Sequence, residues 1–218
     1  MTTRIRESRT TAPATSAVDL QQAKAWLRVS DSDVADEAVV VGLLQAAVEA
    51  CEMYTGRALI SQTWTAFLDA WPRVPSSDDY WEGVKQGPET MLFNPARGLE
   101  LRRSPLQSVT SITSYDDSDV ATVYAASSYF VDTVTDRIVL RTSATPPLPT
   151  RVANGVKIIY VAGYGDDPDD VPETLRQGVL AYTAHLYEHR GDDDLAMMPI
   201  PPVVRIAWES YRMTRLWQ

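Results

Sequence analysis

His185-Leu186-Tyr187-Glu188-His189 spells H-x-x-E-H, and these are the only two histidines in the chain. On a helix this spacing places two imidazoles one turn apart as metal ligands, with the glutamate as general base, as in a zinc peptidase. Such a site needs a third ligand, and in peptidases of this kind it is an acidic residue well downstream. Only 29 residues follow His189, and Glu209 is the single glutamate among them. Asp192, Asp193 and Asp194 lie too close in sequence for that pattern. With Leu175 at zero on a helical wheel, His189 falls about 40° and His185 about 80° from the apolar stripe. Those are the flanks of a packed helix. The expectation is two partly buried histidines bounding a core helix. A metal-dependent hydrolase using His185, Glu188 and His189 stands as the alternative.

The remaining chemistry-bearing groups are weaker. Asp116, Asp117 and Asp119 and the run Asp166 to Asp170 are acidic clusters, of which "DDSD" at Asp116 to Asp119 looks calcium-like. They lack the twelve-residue loop with a sixth-position glycine and a final glutamate, so they read as solvated turns and caps. The stretch "GYGDD" (Gly163 to Asp167) has neither a following basic residue nor phosphate-loop spacing. No serine stands in G-x-S-x-G. Cys51 is the only cysteine, so no intramolecular disulfide can form. It sits in an apolar helical pattern and reads as a small core residue. No catalytic, cofactor-binding or metal residue is assigned.

The elements around these groups divide into three textures. Residues 1–17 are polar, with Arg4, Arg6 and Arg9 and no apolar signal region, and read as a flexible N-terminal arm. A short helix is expected over Leu20 to Val29, with Asp19 as N-cap and Gln22 completing a capping box. A second helix is expected over Val34 to Thr55, where Val40, Leu43, Leu44, Ala47, Cys51 and Tyr54 make one face and Gly56 the stop. From Ile60 to Gly165 the pattern alternates and is rich in Thr, Val, Tyr and Ser. "SQTWTAFLD" and "GVKIIYVAGY" read as strands. "SVTSITSY…ATVYA" and "SYFVD…RIVLR" read as hairpins. Helical texture returns at Pro172, where Leu175, Val179, Tyr182 and Leu186 make one stripe and Leu180 and Tyr187 a second. A last helix is expected over Pro202 to Trp217. The fold class is α+β: a small helical bundle from the N- and C-terminal parts, with a β-rich insertion between the second and third helices. The expected divisions are an arm at 1–17, a helical core at 18–60 and 166–198, an insertion at 61–165, and a docking helix at 199–218.

The chain of 218 residues is 44% apolar and 22% charged, ordinary for a globular protein. Its net charge of -9 argues against broad, nonspecific binding to nucleic acid or anionic membrane. No run of 18 apolar residues is present, so no membrane span is expected. The last helix carries Val204, Trp208 and Tyr211 on one side and Val203, Ile206, Met213 and Trp217 on another, with Arg205, Arg212 and Arg215 between. A terminal helix apolar on two sides points to one side on its own domain and the other on a different chain, with a wide core face as the alternative. Trp, Tyr and Arg are enriched at such contacts.

"QQAKAWLRV" (Gln21 to Val29), "AAVEACEMYTGRALISQTW" (Ala46 to Trp64) and "VPETLRQGVLAYTAHLYEHRG" (Val171 to Gly191) resemble the head–tail connector proteins of long-tailed bacteriophages and gene transfer agents. These are also called adaptor or head completion proteins. "YTGRALISQTW" is the most specific piece. The middle, Ala66 to Ala162, is similar only in being a β-rich insertion.

The resemblance implies a non-enzymatic virion part without cofactors, made in the bacterial host cytoplasm. Such proteins form a ring, usually of twelve copies, beneath the portal at the head–tail interface. They extend a channel through which genome DNA passes without specific binding, and present a surface to a tail-side stopper or tail terminator protein. By that resemblance the last helix contacts the portal, through Val203, Val204, Ile206, Trp208, Tyr211, Arg212, Arg215 and Trp217. Leu180 and Tyr187 are expected between subunits, and Trp71, Tyr80 and Trp81 face the tail. Deleting Val203 to Gln218 is expected to leave a folded protein that no longer joins portal-bearing capsids. A generic β-rich protein-interaction module, without ring symmetry, is the other alternative.

Overall fold

The computed structural model describes residues 5–30, 34–72, 80–81, 84–85, 98–141, 143–190 and 200–213. The chain forms two compact units. One is helical and comprises residues 12–62 and 163–218; the other is β-rich and comprises 1–11 and 63–162. The fold is α+β, with the β-rich part entered after the second helix and left before the third.

The helical unit contains α1 (Leu20–Leu27), α2 (Val34–Thr55), α3 (Glu173–Glu188) and α4 (Pro202–Glu209). Val40, Leu44, Ala47 and Cys51 recur at three- and four-residue steps, so α2 presents one apolar stripe. That stripe is buried with Leu175 and Val179 of α3 in a single cluster. Burial pushes the Cys51 thiol far above its usual range, which leaves it inert packing. Gly56, at φ 73°, ends α2 in the left-handed conformation expected of a C′ residue.

The expected capping box on α1 does not form. Asp19 occupies the N-cap, yet its side chain makes no capping hydrogen bond. Helix α1 is held instead through Lys24, a buried ammonium 3.0 Å from Glu37 of α2. The acidic run before α3 does serve the backbone: Asp167 and Asp170 form a reciprocal capping box around the short turn Pro168–Asp170.

The chain leaves and re-enters the helical unit at one hydrogen-bonded crossing. Ile60 and Gly165 form a parallel bridge, Ser61 N donates to Gly165 O at 2.8 Å, and Tyr164 N donates to Leu59 O at 3.2 Å. Only glycine fits at position 163: φ is 148°, and a Cβ would lie 2.5 Å from Ser61 N. The outgoing segment is fixed by Glu52, a buried acid on α2. Its Oε1 accepts from Leu59 N at 2.9 Å and from Gln62 Nε2 at 2.6 Å.

The β-rich unit holds a five-stranded sheet in the order β1 (Arg6–Thr11), β2 (Gln62–Leu68), β10 (Val156–Ala162), β6 (Leu106–Tyr115), β7 (Ala121–Tyr124). A second sheet runs β5 (Gly98–Glu100), β9 (Arg137–Leu140), β8 (Tyr129–Asp132). Between them in sequence lie the two-residue strands β3 (Tyr80–Trp81) and β4 (Val84–Lys85), paired antiparallel. Both expected hairpins are present, β6 with β7 and β8 with β9. Along β10 every second residue from Val156 is buried, as its alternation predicts.

The N-terminal segment departs from the expectation of a flexible arm. Arg6–Thr11 pair with Thr63–Phe67 as an antiparallel edge strand. Glu7 accepts a hydrogen bond from Arg102 N at 2.9 Å, and the Thr10 and Thr65 hydroxyls meet at 2.6 Å. The sequence "RESRTT" is polar on both faces because an edge strand packs little, so the hydrophobic pattern carries no trace of it.

Two turns are built around carboxylates. Asp116 Oδ1 accepts from Ser118 N and Val120 N, which absorbs the calcium-like "DDSD" into the β6–β7 turn. Asp132 accepts from Val134 N, Thr135 N, Thr135 Oγ1 and Arg137 Nε across the β8–β9 turn. Its hydrogen bonds to Thr135 and Arg137 hold the Asp132 carboxyl down at about 2. A depressed folded-state value stabilises above the ordinary carboxylate range and is lost as pH falls through the folded value. The turn should therefore loosen between pH 4 and 2, and Asp132→Asn should flatten that acid limb in a pH series of thermal midpoints. Separately, Glu52→Ala should lower unfolding free energy by about 1–3 kcal/mol in urea titrations, because a buried N–H and amide lose their acceptor. Glu52→Gln, which keeps the acceptor oxygen, should lose less.

Candidate functional site

The H-x-x-E-H segment ends α3 and does not gather a ligand set. His185 and His189 are half-buried, with ring centroids 4.3 Å apart. His189 Nδ1 donates to the His185 carbonyl at 2.8 Å, and Tyr182 stacks on His185. Burial, then the neighbouring His189, holds the His185 pKa below its usual value. Glu188 is exposed. Among the described residues, no three His, Cys, Asp or Glu side chains stand together in a metal-holding arrangement.

The surface with the clearest division of labour is α4. Spacing of four sets Val204 and Trp208 on one side, and both are fully buried. Trp208 packs edge-on to Tyr182 at 5.6 Å and lies 6.0 Å from the Tyr54 ring. It fits because position 178 of α3 has no side chain: a Cβ on Gly178 would sit 2.3 Å from Trp208 Nε1. Val203 and Ile206 then point outward, 74% and 72% exposed. The expected set of eight docking residues thus splits. Val204 and Trp208 belong to the core of their own unit, while Val203, Ile206 and Arg212 are exposed and Tyr211 half-buried. Arg215 and Trp217 lie outside the described residues.

The helix is also shorter than expected, ending at Glu209. Tyr211 N and Arg212 N bond back to the carbonyls of Trp208 and Glu209, and Met213 N donates to Thr55 O at 2.9 Å. The chain stops being helical because the end of α2 captures it. Arg57 Nε donates to Tyr211 O at 2.6 Å, and the Arg57 guanidinium lies 5.9 Å from the Tyr164 ring centroid. The Tyr54 hydroxyl donates to Glu209 and Arg212 covers the Tyr54 ring. That bond, chiefly, holds the Glu209 carboxyl below its usual range and pushes the Tyr54 phenol up. The residues that open "YTGRALISQTW", with Glu52 just before them, have structural work that the resemblance does not disclose. Glu52 fixes the outgoing chain, Tyr54 holds the last residue of α4, and Thr55 and Arg57 seat the segment after it. A glutamate inside an apolar helical pattern was the available signal.

The two residues expected between subunits have partners within the chain. Leu180 is buried and floors a groove of about 400 Å³ between α1 and α3. Tyr187 donates from its hydroxyl to Asp36 of α2 at 2.9 Å, with Arg190 over its ring at 4.2 Å. Within the chain Tyr187 is thus partnered, while Leu180 lies at the base of that groove. In the insertion, Trp71 is also corrected: it is buried, not tail-facing. Tyr80 and Trp81 form a strand, but their side chains lie outside the described set. The exposed apolar residues of this unit are others, among them Val123, Phe130 and Val134.

No protein-family model and no curated protein matches the chain. Solved structures do. The neck of an empty gene transfer agent particle, computed with C6 symmetry, aligns over 97% of this chain and 97% of that chain, at 26% identity and a TM-score of 0.73. A chain from the virion of a native gene transfer agent particle gives the same coverage at 26% identity and a TM-score of 0.72. The neck of the native particle, computed with C12 symmetry, aligns at 25% identity and 0.70. The chain is built like a neck component of gene transfer agent particles. The likeness spans both units, so the β-rich insertion is part of the neck-type fold rather than an addition to it.

Gly178→Ala should test the seat of α4. Alanine ordinarily stabilises a helix over glycine by about 1 kcal/mol. Overpacking a core costs about 1–3 kcal/mol. With contact at 2.3 Å, the second effect should win, giving a net loss in equilibrium unfolding and a changed near-ultraviolet signal from Trp208. Unchanged or raised stability would show that α4 does not press on that notch.

Proposed function

We propose that this chain is a structural, non-enzymatic virion protein: a head–tail connector that forms a ring beneath the portal and extends the DNA channel toward the tail. The observation that carries this reading is the end-to-end likeness to neck structures of gene transfer agent particles, at 97% coverage of both chains. A ring, of twelve copies by family resemblance, agrees with the C6 and C12 symmetry of those assemblies. The acidic balance of -9 suits a lumen that lets DNA pass without gripping phosphate. The protein would be made in the host cytoplasm and act at the neck of the particle.

In this reading α4 is the portal-docking element. Val204 and Trp208 anchor it to the subunit, and Val203, Ile206, Tyr211 and Arg212, continuing to Arg215 and Trp217, meet the portal. The β-rich unit offers its exposed apolar residues to a tail-side stopper or tail terminator. Deleting Val203 to Gln218 is no longer a clean test, because it removes Trp208 from the core at about 3–5 kcal/mol. The sharper variant is Val203→Asp with Ile206→Asp. Both positions are exposed, so stability should shift by no more than about 0.5 kcal/mol. Incorporation into portal-bearing capsids should fall at least about tenfold, as loss of ~1.4 kcal/mol at a contact implies. Normal incorporation of the folded double variant would overturn the docking role of α4.

A further inference from the structure

We propose that neighbouring copies meet through the outer face of α2 on one copy and the groove between α1 and α3 on the next; this rests on the ring reading above and names its contact. Val39, Gly42, Ala46, Glu49 and Met53 are all exposed and follow each other at steps of three, four, three and four. That spacing is the seam along which one helix packs on another. It lies about 150° round α2 from the core stripe of Val40, Leu44, Ala47 and Cys51. Only 33% of the apolar window in Asp36–Thr55 is buried. A solvated helix face of this length ordinarily carries several charges; this seam carries one, Glu49. Beyond its own stretch of helix, nothing lies within 4 Å of where a Cβ on Gly42 would stand, so the middle of the seam is open and low.

The complementary surface is on the same unit. Trp26 of α1 is 50% exposed at the groove it lines with Gln22, Ala25, Glu173, Arg176, Gln177 and Leu180. An indole left half in water beside a groove is a ready anchor for a partner. Both α1 and α3 pack on the core side of α2, so groove and seam lie on different faces of the unit. A head-to-tail contact that closes into a ring requires two such distinct patches. Charge agrees as well: Arg28 is exposed two residues beyond Trp26, and Glu49 is the single charge on the seam. The occupant of the seam is therefore a second copy, with Trp26 over Gly42 and Arg28 toward Glu49. A lipid surface fits less well. By length and composition α2 could cross a membrane, but Gly42, Gln45, Ala46 and Glu49 make a poor lipid-facing stripe without flanking cations.

The test uses full-length chain on portal-bearing capsids. Ala25→Cys with Gln45→Cys places thiols beside Trp26 and beside the seam at exposed positions, while native Cys51 is buried. A short bismaleimide should give a ladder of covalent multimers from the double variant, and only monomer from either single variant. Rings visible in particle images without a ladder overturn this contact and leave the ring reading intact. Absence of rings overturns both. As a second measurement, Arg28→Glu and Glu49→Arg should each lower ring yield severalfold and restore it when combined; equal yields throughout overturn the pairing. Flotation of the free chain with phosphatidylcholine vesicles, abolished by Val39→Glu, would assign the seam to lipid and overturn the proposal.

Discussion

The helical unit depends on an indole lying in the space where α3 lacks a side chain. Gly178 brings the two helices close enough for Trp208 to be wholly enclosed. The ring nitrogen finds no hydrogen-bond acceptor among the described residues. An unmet buried N–H costs about 1–3 kcal/mol, while truncating a buried Trp costs about 3–5 kcal/mol. Packing therefore outweighs polarity at this position. Once Trp208 is fixed, helical geometry leaves no freedom for its neighbours: Val204 follows it inward, and Val203 and Ile206 must face out. The presentation of an apolar surface is set by a residue that is not on it.

The end of α2 is the second point on which much converges. Within six residues, Glu52 to Arg57, one acid grips the chain going out to the β-rich unit and one hydroxyl, one carbonyl and one guanidinium grip the segment after α4. Sequence neighbours thus meet two regions far apart in the chain. A change there would be felt at the crossing and at α4 together.

What could be read from the sequence follows from where the information lay. Helix α2 and strand β10 declare themselves because each buries one face against a core, which imposes a period. Strand β1 imposes none, since both its faces are polar. Leu180 and Tyr187 form the second apolar stripe that their spacing implies, but periodicity does not name what such a stripe meets: Leu180 lies at the groove between α1 and α3, and Tyr187 bonds Asp36. Trp71 shows the converse. It was expected to face outward, while the ring itself is buried. The length of α4 was overestimated because apolar residues continue past Glu209, and capture by Arg57 and Thr55 is a long-range event that local propensity does not register. The two apolar sides of α4 were legible in the sequence; which side is buried in its own unit and which stays exposed was not.

The hydrogen-bonded crossing at Ile60 and Gly165 has an evolutionary corollary. Roughly a hundred residues depart and return through two adjacent backbone positions, and the entropy of closing such an excursion grows only with the logarithm of its length. Doubling the excursion would cost about 0.6 kcal/mol. Lineages could therefore lengthen, shorten or exchange that cassette almost freely, provided Gly163 keeps its dihedral and Glu52 its grip. The helical scaffold is the fixed frame of that arrangement, and the cassette is the part whose length is cheap to change.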